Sequence, residues 1–399
     1  MNLSDKTLAV YYHMPFVIKE DCILSNPVIG TFIESLVPYF EKVLVFGFEC
    51  ASNHDPITYL LSNKKIEFVS LGPEGRGWDH LQKMHRMRSA IKHNKKPIDI
   101  LLLRVPSHKA YAVWKYAGKP DNTALLFIGN PFFTPAYSNI HGYMYLFRKF
   151  RSELHDRRMG VICRQSSAIV IANSQMLVDL WSRKLKTSLS LIHTSSISEN
   201  DILVDHIRER FNQAPYVLLF VGRVCYDKGI RELFGALKEL NRKNTRKFNL
   251  DIVGPLGDLG GNEINELVQQ YGISEYVNYH GAVPFGETLF KFYRNSDAYI
   301  LPSYHEGMPK TIWEAMSQGT PVIASEIDGM KDNFFHEMDI LFIQPRSSES
   351  ISAAVLKLCS SQELVKKLQK NGIEKAYNFT RELQAEKIIA HMHQQWENN

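Results

Sequence analysis

The sequence predicts an α/β protein made of two doubly wound domains, and three observations carry the prediction. Short, continuously apolar runs recur along the chain and alternate with segments of helical period, the pattern of buried parallel strands joined by helical crossovers. At 399 residues the chain is longer than one hydrophobic core usually serves. A polar stretch, HTSSISENDI, separates two series of such units and places the boundary between Ser195 and Ala214. The domains expected are 1–200 and 201–379, with a terminal segment 380–399.

In the first series, Thr7–Tyr12 reads as a buried strand, Ser25–Phe40 as loop and helix, and Lys42–Phe48 as a second strand. Pro27-Val28-Ile29-Gly30 occupies the turn into that helix, and Gly30 serves either a ligand approach or the turn alone. Strands Ile66–Leu71 and Ile98–Val105 flank a basic helix, Trp78–His93. IDILLLRVPSHKAY sets Arg104 and His108 just past a strand end, the side on which ligands bind in parallel sheets. An internal ion-pair arginine and a solvated loop histidine are the plainer readings. Ala124–Ile128 ends in GNPFF, so Asn130, Phe132 and Phe133 line the same crevice or join the core.

Ile140–Arg164 carries Arg148, Lys149, Arg151, Arg157, Arg158 and Arg164 against Glu153 and Asp156, interleaved with Tyr143, Met144, Leu146, Phe147 and Phe150. Such a helix suits an anionic lipid surface, or packs an ordinary apolar stripe on its own sheet. Ala168–Ala172 as strand, Ser174–Lys184 as a helix capped through ANSQ, and Ser188–His193 close the first sheet.

The second series opens with strand Tyr216–Gly222 and helix Ile230–Leu240, and Arg223 and Lys228 lie in the turn between them. Cations belong there if a diphosphate occupies the crevice; the alternative is two solvated surface charges. Leu250–Gly254, Val277–His280 and Ile340–Ile343 are further strands, Glu263–Tyr271 a helix, GAVPFGETLFKFY a turn and helix, and Gly329 and Met330 belong to a strand-to-helix turn. Helices Ser347–Cys359, Gln362–Tyr377 and Arg381–Trp396 end the chain.

Asp297–Ala324 is the most informative stretch. Strand Ala298–Leu301, helix Lys310–Gln318 and strand Pro321–Ala324 form one βαβ unit. Pro309 suits the first helical turn and Gly319 the left-handed residue past its end. Ile312, Ala315 and Met316 give the helix an apolar face. Glu314 lies off that face and Glu306 in the entry loop, so two carboxylates are expected to face one crevice. The N–H groups of Gly307 and Met308 and the positive end of the helix dipole suit an anion there. Acids beside an anion make sense when they hold hydroxyls, and a nucleotide sugar supplies both kinds of group.

That combination, Glu306 and Glu314 in LPSYHEGMPKTIWEAMSQGTPVIAS with Arg223 and Lys228 in GRVCYDKG, resembles glycosyltransferase family 4, retaining enzymes of the GT-B fold. The resemblance is strong over Tyr216–Pro345 and topological before it. It implies two Rossmann-like domains facing across a cleft, with the final helix packing back on the first. It also implies transfer of a hexose, with retention, from a nucleotide diphosphate sugar to a hydroxyl of a saccharide or lipid-linked acceptor, in polysaccharide or glycolipid synthesis. In the family's pattern Gly222, Arg223 and Lys228 bind the diphosphate, Gly281–Pro284 (Val283 among them) the base, Glu306 the sugar and Glu314 the ribose. On the acceptor side Gly30, Arg104, His108 and Asn130 are the candidates, and His108 would touch the transferred sugar. An epimerase or phosphorylase of the same fold, or a non-catalytic binding protein, would share the crevice.

Composition bounds the rest. The 44% hydrophobic and 22% charged content is that of a globular chain. Cys22, Cys50, Cys163, Cys225 and Cys359 are scattered with no C-x-x-C, which favours reduced thiols. No D-x-D triplet offers a metal clamp, and no G-x-G-x-x-G opens either domain as a dehydrogenase requires. Neither metal nor cofactor is expected. A charge of +5 is too mild to argue for nucleic acid. With no signal peptide and no eighteen-residue apolar run, the expected place is the cytoplasm, with peripheral contact at the inner face of the plasma membrane through helix 140–164.

Overall fold

The computed structural model describes residues 3–19, 22–50, 57–74, 80–94, 96–128, 143–203, 208–243 and 247–397. Two compact units result: Met1–Thr194 with Gln384–Asn399, and Ser195–Leu383. Residues 195–200 therefore lie with the second unit.

In the first unit the strands are β1 (Thr7–Lys19), β2 (Cys22–Ser25), β3 (Lys42–Glu49), β4 (Tyr59–Leu61), β5 (Ile66–Pro73), β6 (Ile100–Val105), β7 (Thr123–Phe127), β8 (Ile169–Ala172) and β9 (Ser190–Leu191). The helices are α1 (Pro27–Leu36), α2 (His80–His93), α3 (Ala110–Tyr116), α4 (Tyr143–Gln165) and α5 (Gln175–Leu185). The parallel order is β5-β3-β1-β6-β7-β8-β9, so the chain winds one way from β1 and then the other from β6. Alternation explains the apolar runs: Leu8, Val10 and Tyr12 enter one core while Ala9 and Tyr11 enter the core on the opposite face.

Three features depart from the sequence reading. β1 runs on to Lys19, past an irregularity between Tyr11 and Pro15, and there pairs antiparallel with β2, which pairs in turn with β4. Neither β2 nor β4 was expected, because each is too short for periodicity to register. Pro27–Gly30 form the first turn of α1 rather than a loop before it, with Asn26 as N-cap accepting from Val28 N at 3.0 Å. α3 also lacked a signal.

The second unit holds β10 (Tyr216–Val221), β11 (Phe248–Val253), β12 (Val277–Gly281), β13 (Ala298–Leu301), β14 (Val322–Ser325) and β15 (Leu341–Ile343), all parallel, in the order β12-β11-β10-β13-β14-β15. Its helices are α6 (Ile230–Lys243), α7 (Gly261–Tyr271), α8 (Glu287–Asn295), α9 (Lys310–Ser317), α10 (Asp328–Lys331), α11 (Ser348–Ser360) and α12 (Gln362–Tyr377). Gly329 and Met330 thus sit in the short helix α10, not in a bare turn. Leu218 and Phe220 face the core under α6 and α11, while Leu219 and Val221 face the core under α8 and α9.

Buried polar groups register β13 within this sheet. Asp297 accepts from Phe211 N and Val217 N, each at 2.8 Å, and Arg210, fully buried, donates to the carbonyls of Arg294 (2.6 Å), Gln318 (3.3 Å) and Gly319 (3.3 Å). Carbonyls at the ends of α8 and α9 are satisfied in this way. The last helix, α13 (Arg381–Glu397), contributes Ala385, Ile388, Ile389, Met392 and Trp396 to a core of the first unit, and Trp396 Nε1 donates to Ser167 O at 2.9 Å.

Candidate functional site

The order of the second sheet places its topological switch point between β10 and β13, which pair through Leu218–Ala298 and Leu219–Tyr299. Ligands in open α/β sheets bind outside the carboxyl ends of the strands at such a point. There the turn after β10 meets the loop after β13. Tyr304 N donates to Asp227 O at 2.9 Å. Gly229, at φ +72°, lies so close to Pro302 that a Cβ would come within 2.2 Å of its carbonyl oxygen.

This contact brings Lys228 and Glu306 together. Lys228 Nζ donates to Glu306 Oε1, to which Ser303 Oγ also donates at 2.8 Å. Both side chains are largely shielded, 16% and 13% exposed, so the pair is less screened than a surface ion pair. Oε2 of Glu306 accepts no hydrogen bond among the described residues. Arg223, in contrast, is exposed and its guanidinium has no partner among the described residues. Gly307 N and Met308 N are likewise unengaged among them. Burial, then neighbouring Asp227, push the Cys225 thiol up to about 12, which removes thiolate chemistry from this turn.

α9 is held tightly behind the loop. Pro309 is its N-cap, at φ −72° and ψ 119°, rather than its first helical residue. Gly319, at φ +60°, closes it in a Schellman turn: Gly319 N reaches Met316 O at 3.0 Å and Thr320 N reaches Ala315 O at 2.9 Å. Trp313 stacks on Phe379, centroids 3.7 Å apart. Gly329 has no room for a side chain, because a Cβ would lie 2.3 Å from Gly307 O.

Glu314 corrects the sequence reading. It does not stand open beside Glu306 but is 4% exposed, since α9 is covered on the side taken for its polar face. Its Oε1 accepts from Ser196 Oγ at 2.8 Å and its Oε2 from Tyr293 Oη at 3.0 Å. Burial raises its pKa, the two hydrogen bonds and Lys310 oppose the shift, and Asp201 adds to it. Tyr299 Oη, donating to Thr311 Oγ1 at 2.6 Å, continues this polar layer under the site. No sequence signal pointed to Ser196, Tyr293 or Tyr299, which lie on separate segments; Ser303, three residues before Glu306, was findable by proximity.

Gly222 follows β10 in an extended, left-handed conformation at φ +153°, and a Cβ at Gly254 (φ +141°) would come within 2.0 Å of its carbonyl oxygen. Gly281 ends β12 at φ +68° with open space about its Cα, and Val283, half-buried, packs on the core beneath α8.

In the first unit, Arg104 is the last but one residue of β6, with Nη1 3.5 Å from Nδ1 of His13 and its guanidinium 4.9 Å over the ring of Tyr12. His108 lies four residues on, its ring 6.0 Å edge-on from that of His155. Partial enclosure, then Arg104, His108 and Lys109, pull His13 down to about 4. Enclosure, then Arg151, His155 and Arg158, do the same to His108. Gly30 has a packing reason of its own: a Cβ would meet the Tyr59 ring at 2.2 Å and Ser25 Oγ at 2.5 Å. Asn130, Phe132 and Phe133 lie outside the described residues.

Comparison with known proteins adds identity. Residues 202–375 match the model of the family described as glycosyl transferases group 1. An uncharacterized glycosyltransferase of Methanocaldococcus jannaschii is 31% identical over 144 residues, 36% of either chain. An N-acetylgalactosaminyltransferase of Campylobacter jejuni acting on N,N'-diacetylbacillosaminyl-diphospho-undecaprenol is 23% identical over 175 residues, 43% of either chain. These matches therefore span less than half the length of the relatives. In fold the chain is similar to HepE of Anabaena, solved with UDP and glucose, at TM-score 0.67 and 16% identity over 97% of this chain and 99% of that one. The fold is thus the GT-B α/β class. The match to the model of glycosyl transferases group 1 lies within the second unit.

Proposed function

We propose that the protein transfers a hexose, with retention and without a metal, from a nucleoside diphosphate sugar to a hydroxyl of a saccharide or lipid-linked acceptor. The observation carrying this reading is the meeting of Lys228 and Glu306 at the switch point of the second sheet, in whose first turn Arg223 has no partner among the described residues. A donor diphosphate set against Gly307 N, Met308 N and the start of α9 draws Lys228 toward its oxygens and engages Arg223. Charge that develops on the departing diphosphate then meets donors already in place, which is electrostatic catalysis by preorganisation. Freed from Lys228, Glu306 keeps Ser303 on Oε1 and offers Oε2 to a sugar hydroxyl. Glu314 acts behind the site, fixing α9 through Tyr293 and Ser196. Gly281 and Val283 lie where the base would pack.

HepE, solved with UDP and glucose, and the C. jejuni relative, whose name specifies a lipid diphosphate acceptor, support a uridine nucleotide and an acceptor of surface-glycan type. Peripheral membrane contact on the cytoplasmic side draws support from α4. Ser152, His155, Met159 and Ile162 face the interior, while Leu146 and Phe150, 65% and 62% exposed, project from the opposite side beside Lys149. No helix among the described residues is long and apolar enough to cross a membrane.

Thermal-shift screening against a panel of nucleotide sugars, followed by a transfer assay with the donor that stabilises most, tests the reading. Product of retained anomeric configuration, formed in the presence of a chelator, is expected. Epimerised sugar or sugar phosphate formed without an acceptor would replace it with a rival activity; no stabilisation by any nucleotide sugar would end it.

A further inference from the structure

The first sheet repeats the switch point of the second, between β1 and β6, and its loops gather a different set of groups there. His13 lies in the irregularity of β1, past the end of its pairing with β6, Arg104 near the end of β6, and His108 and Lys109 in the turn that follows. The two cations are steadied by aromatic rings, Arg104 over Tyr12 at 4.9 Å and Lys109 over Phe48 at 3.5 Å. The turn is pinned from below: Ser107 Oγ is 3.0 Å from Tyr11 Oη, and Ser107 N donates to His155 Nε2 at 3.3 Å.

Among the described residues none of His13, Arg104, His108 and Lys109 makes an ion pair. Among the described residues Glu74, felt by Lys109, is the one carboxylate whose charge reaches any of the four. Half-enclosed cations are ordinarily paired, and a cleft of one sign concentrates ions of the other. Guanidinium and ammonium groups so held, with imidazole N–H groups between them, match the oxygens of a phosphate ester.

We infer that the carboxyl ends of β1 and β6 bind a phosphate group carried by the acceptor, through Arg104 and Lys109 with His13 and His108 as hydrogen-bonding partners. The inference rests on the glycosyltransferase reading only in calling that molecule the acceptor. A water-soluble sugar phosphate and a lipid phosphate present the same chemistry.

The test uses the full chain with UDP at saturating concentration, its binding established first by calorimetry. Glucose 6-phosphate is then titrated against glucose, and farnesyl phosphate in detergent micelles against farnesol. One phosphate ester is expected to bind at least tenfold more tightly than its neutral parent, and Arg104→Gln to abolish that preference. If Arg104→Gln does not fold, His13→Gln at an exposed position serves, with a severalfold loss expected. Preference for the soluble ester alone assigns a sugar phosphate; preference for the micellar ester alone assigns a lipid-linked one. Equal binding of ester and parent, or an undiminished preference in both variants, overturns the inference while UDP binding leaves the donor reading intact. Ester binding lost in Arg104→Gln, in a chain that binds no UDP, would instead overturn the donor reading and with it the word acceptor.

Discussion

The two sheets share one winding order and differ in the charges gathered at their switch points. After β10 and β13 a lysine meets an acid, so Lys228 and Glu306 neutralise one another while Arg223 has no partner among the described residues. Around β1 and β6 the cations Arg104 and Lys109 gather with the neutral imidazoles of His13 and His108, and among the described residues none of the four makes an ion pair. Topology thus selects the place, and loop residues select the chemistry. A site able to exchange an internal salt bridge for a ligand recognises a molecule with both anionic and hydroxyl parts; a site of one sign awaits an anion alone.

The largest effect that could break this contrast is at Lys228. Lys228→Gln should lower kcat/KM by about 100- to 1000-fold, the range for loss of one preorganised electrostatic group. Near-normal steady-state kinetics would make the pair with Glu306 merely structural. Next is the contact between the two turns. Gly229→Ala places a Cβ within 2.2 Å of Pro302 O at a left-handed φ. It should cost at least about 2 kcal/mol of unfolding free energy in urea, if the second unit is as rigid there as the packing implies. Unchanged stability would show that the turns separate easily.

Arg223→Ala should lower turnover by about 10- to 100-fold with little change in fold stability, as expected for a charged hydrogen bond made only to ligand. Circular dichroism melts beside kinetic measurements check both halves. The smallest effect sharpens the role of Glu314. Its pKa is raised by burial, so its contribution to stability is full below the ordinary carboxylate pKa of about 4.3 and is lost as pH rises through the folded value. Glu314→Gln should therefore gain stability relative to the parent from pH 4 to 7, by no more than about 1 kcal/mol at neutrality, and leave donor affinity nearly unaltered. A large loss of donor affinity would return this carboxylate to the ribose.

Legibility in the sequence follows the distance over which each feature is encoded. Parallel strands such as Ala298–Leu301 were readable to the residue because burial on both faces makes them continuously apolar. β2 and β4 were not, since three or four residues on a sheet edge carry no period. Gly30 was visible as a glycine, but its reason, the Tyr59 ring of β4, lies 29 residues downstream and only folding brings it near. Glu314 was placed on an exposed face because the helical wheel shows one neighbouring layer; Tyr293 and Ser196 supply a second.

By itself the sequence determined the alternation of strands and helices, the two-unit division and the loops that hold the candidate residues, because these depend on local period, turn residues and short spacings. Tertiary structure alone decided that Lys228 binds Glu306, that Glu314 is sealed away, and that the histidines and cations of the first unit converge without an ion pair among the described residues. Charges act through space over several ångströms, and the partners that set them come from segments tens of residues apart.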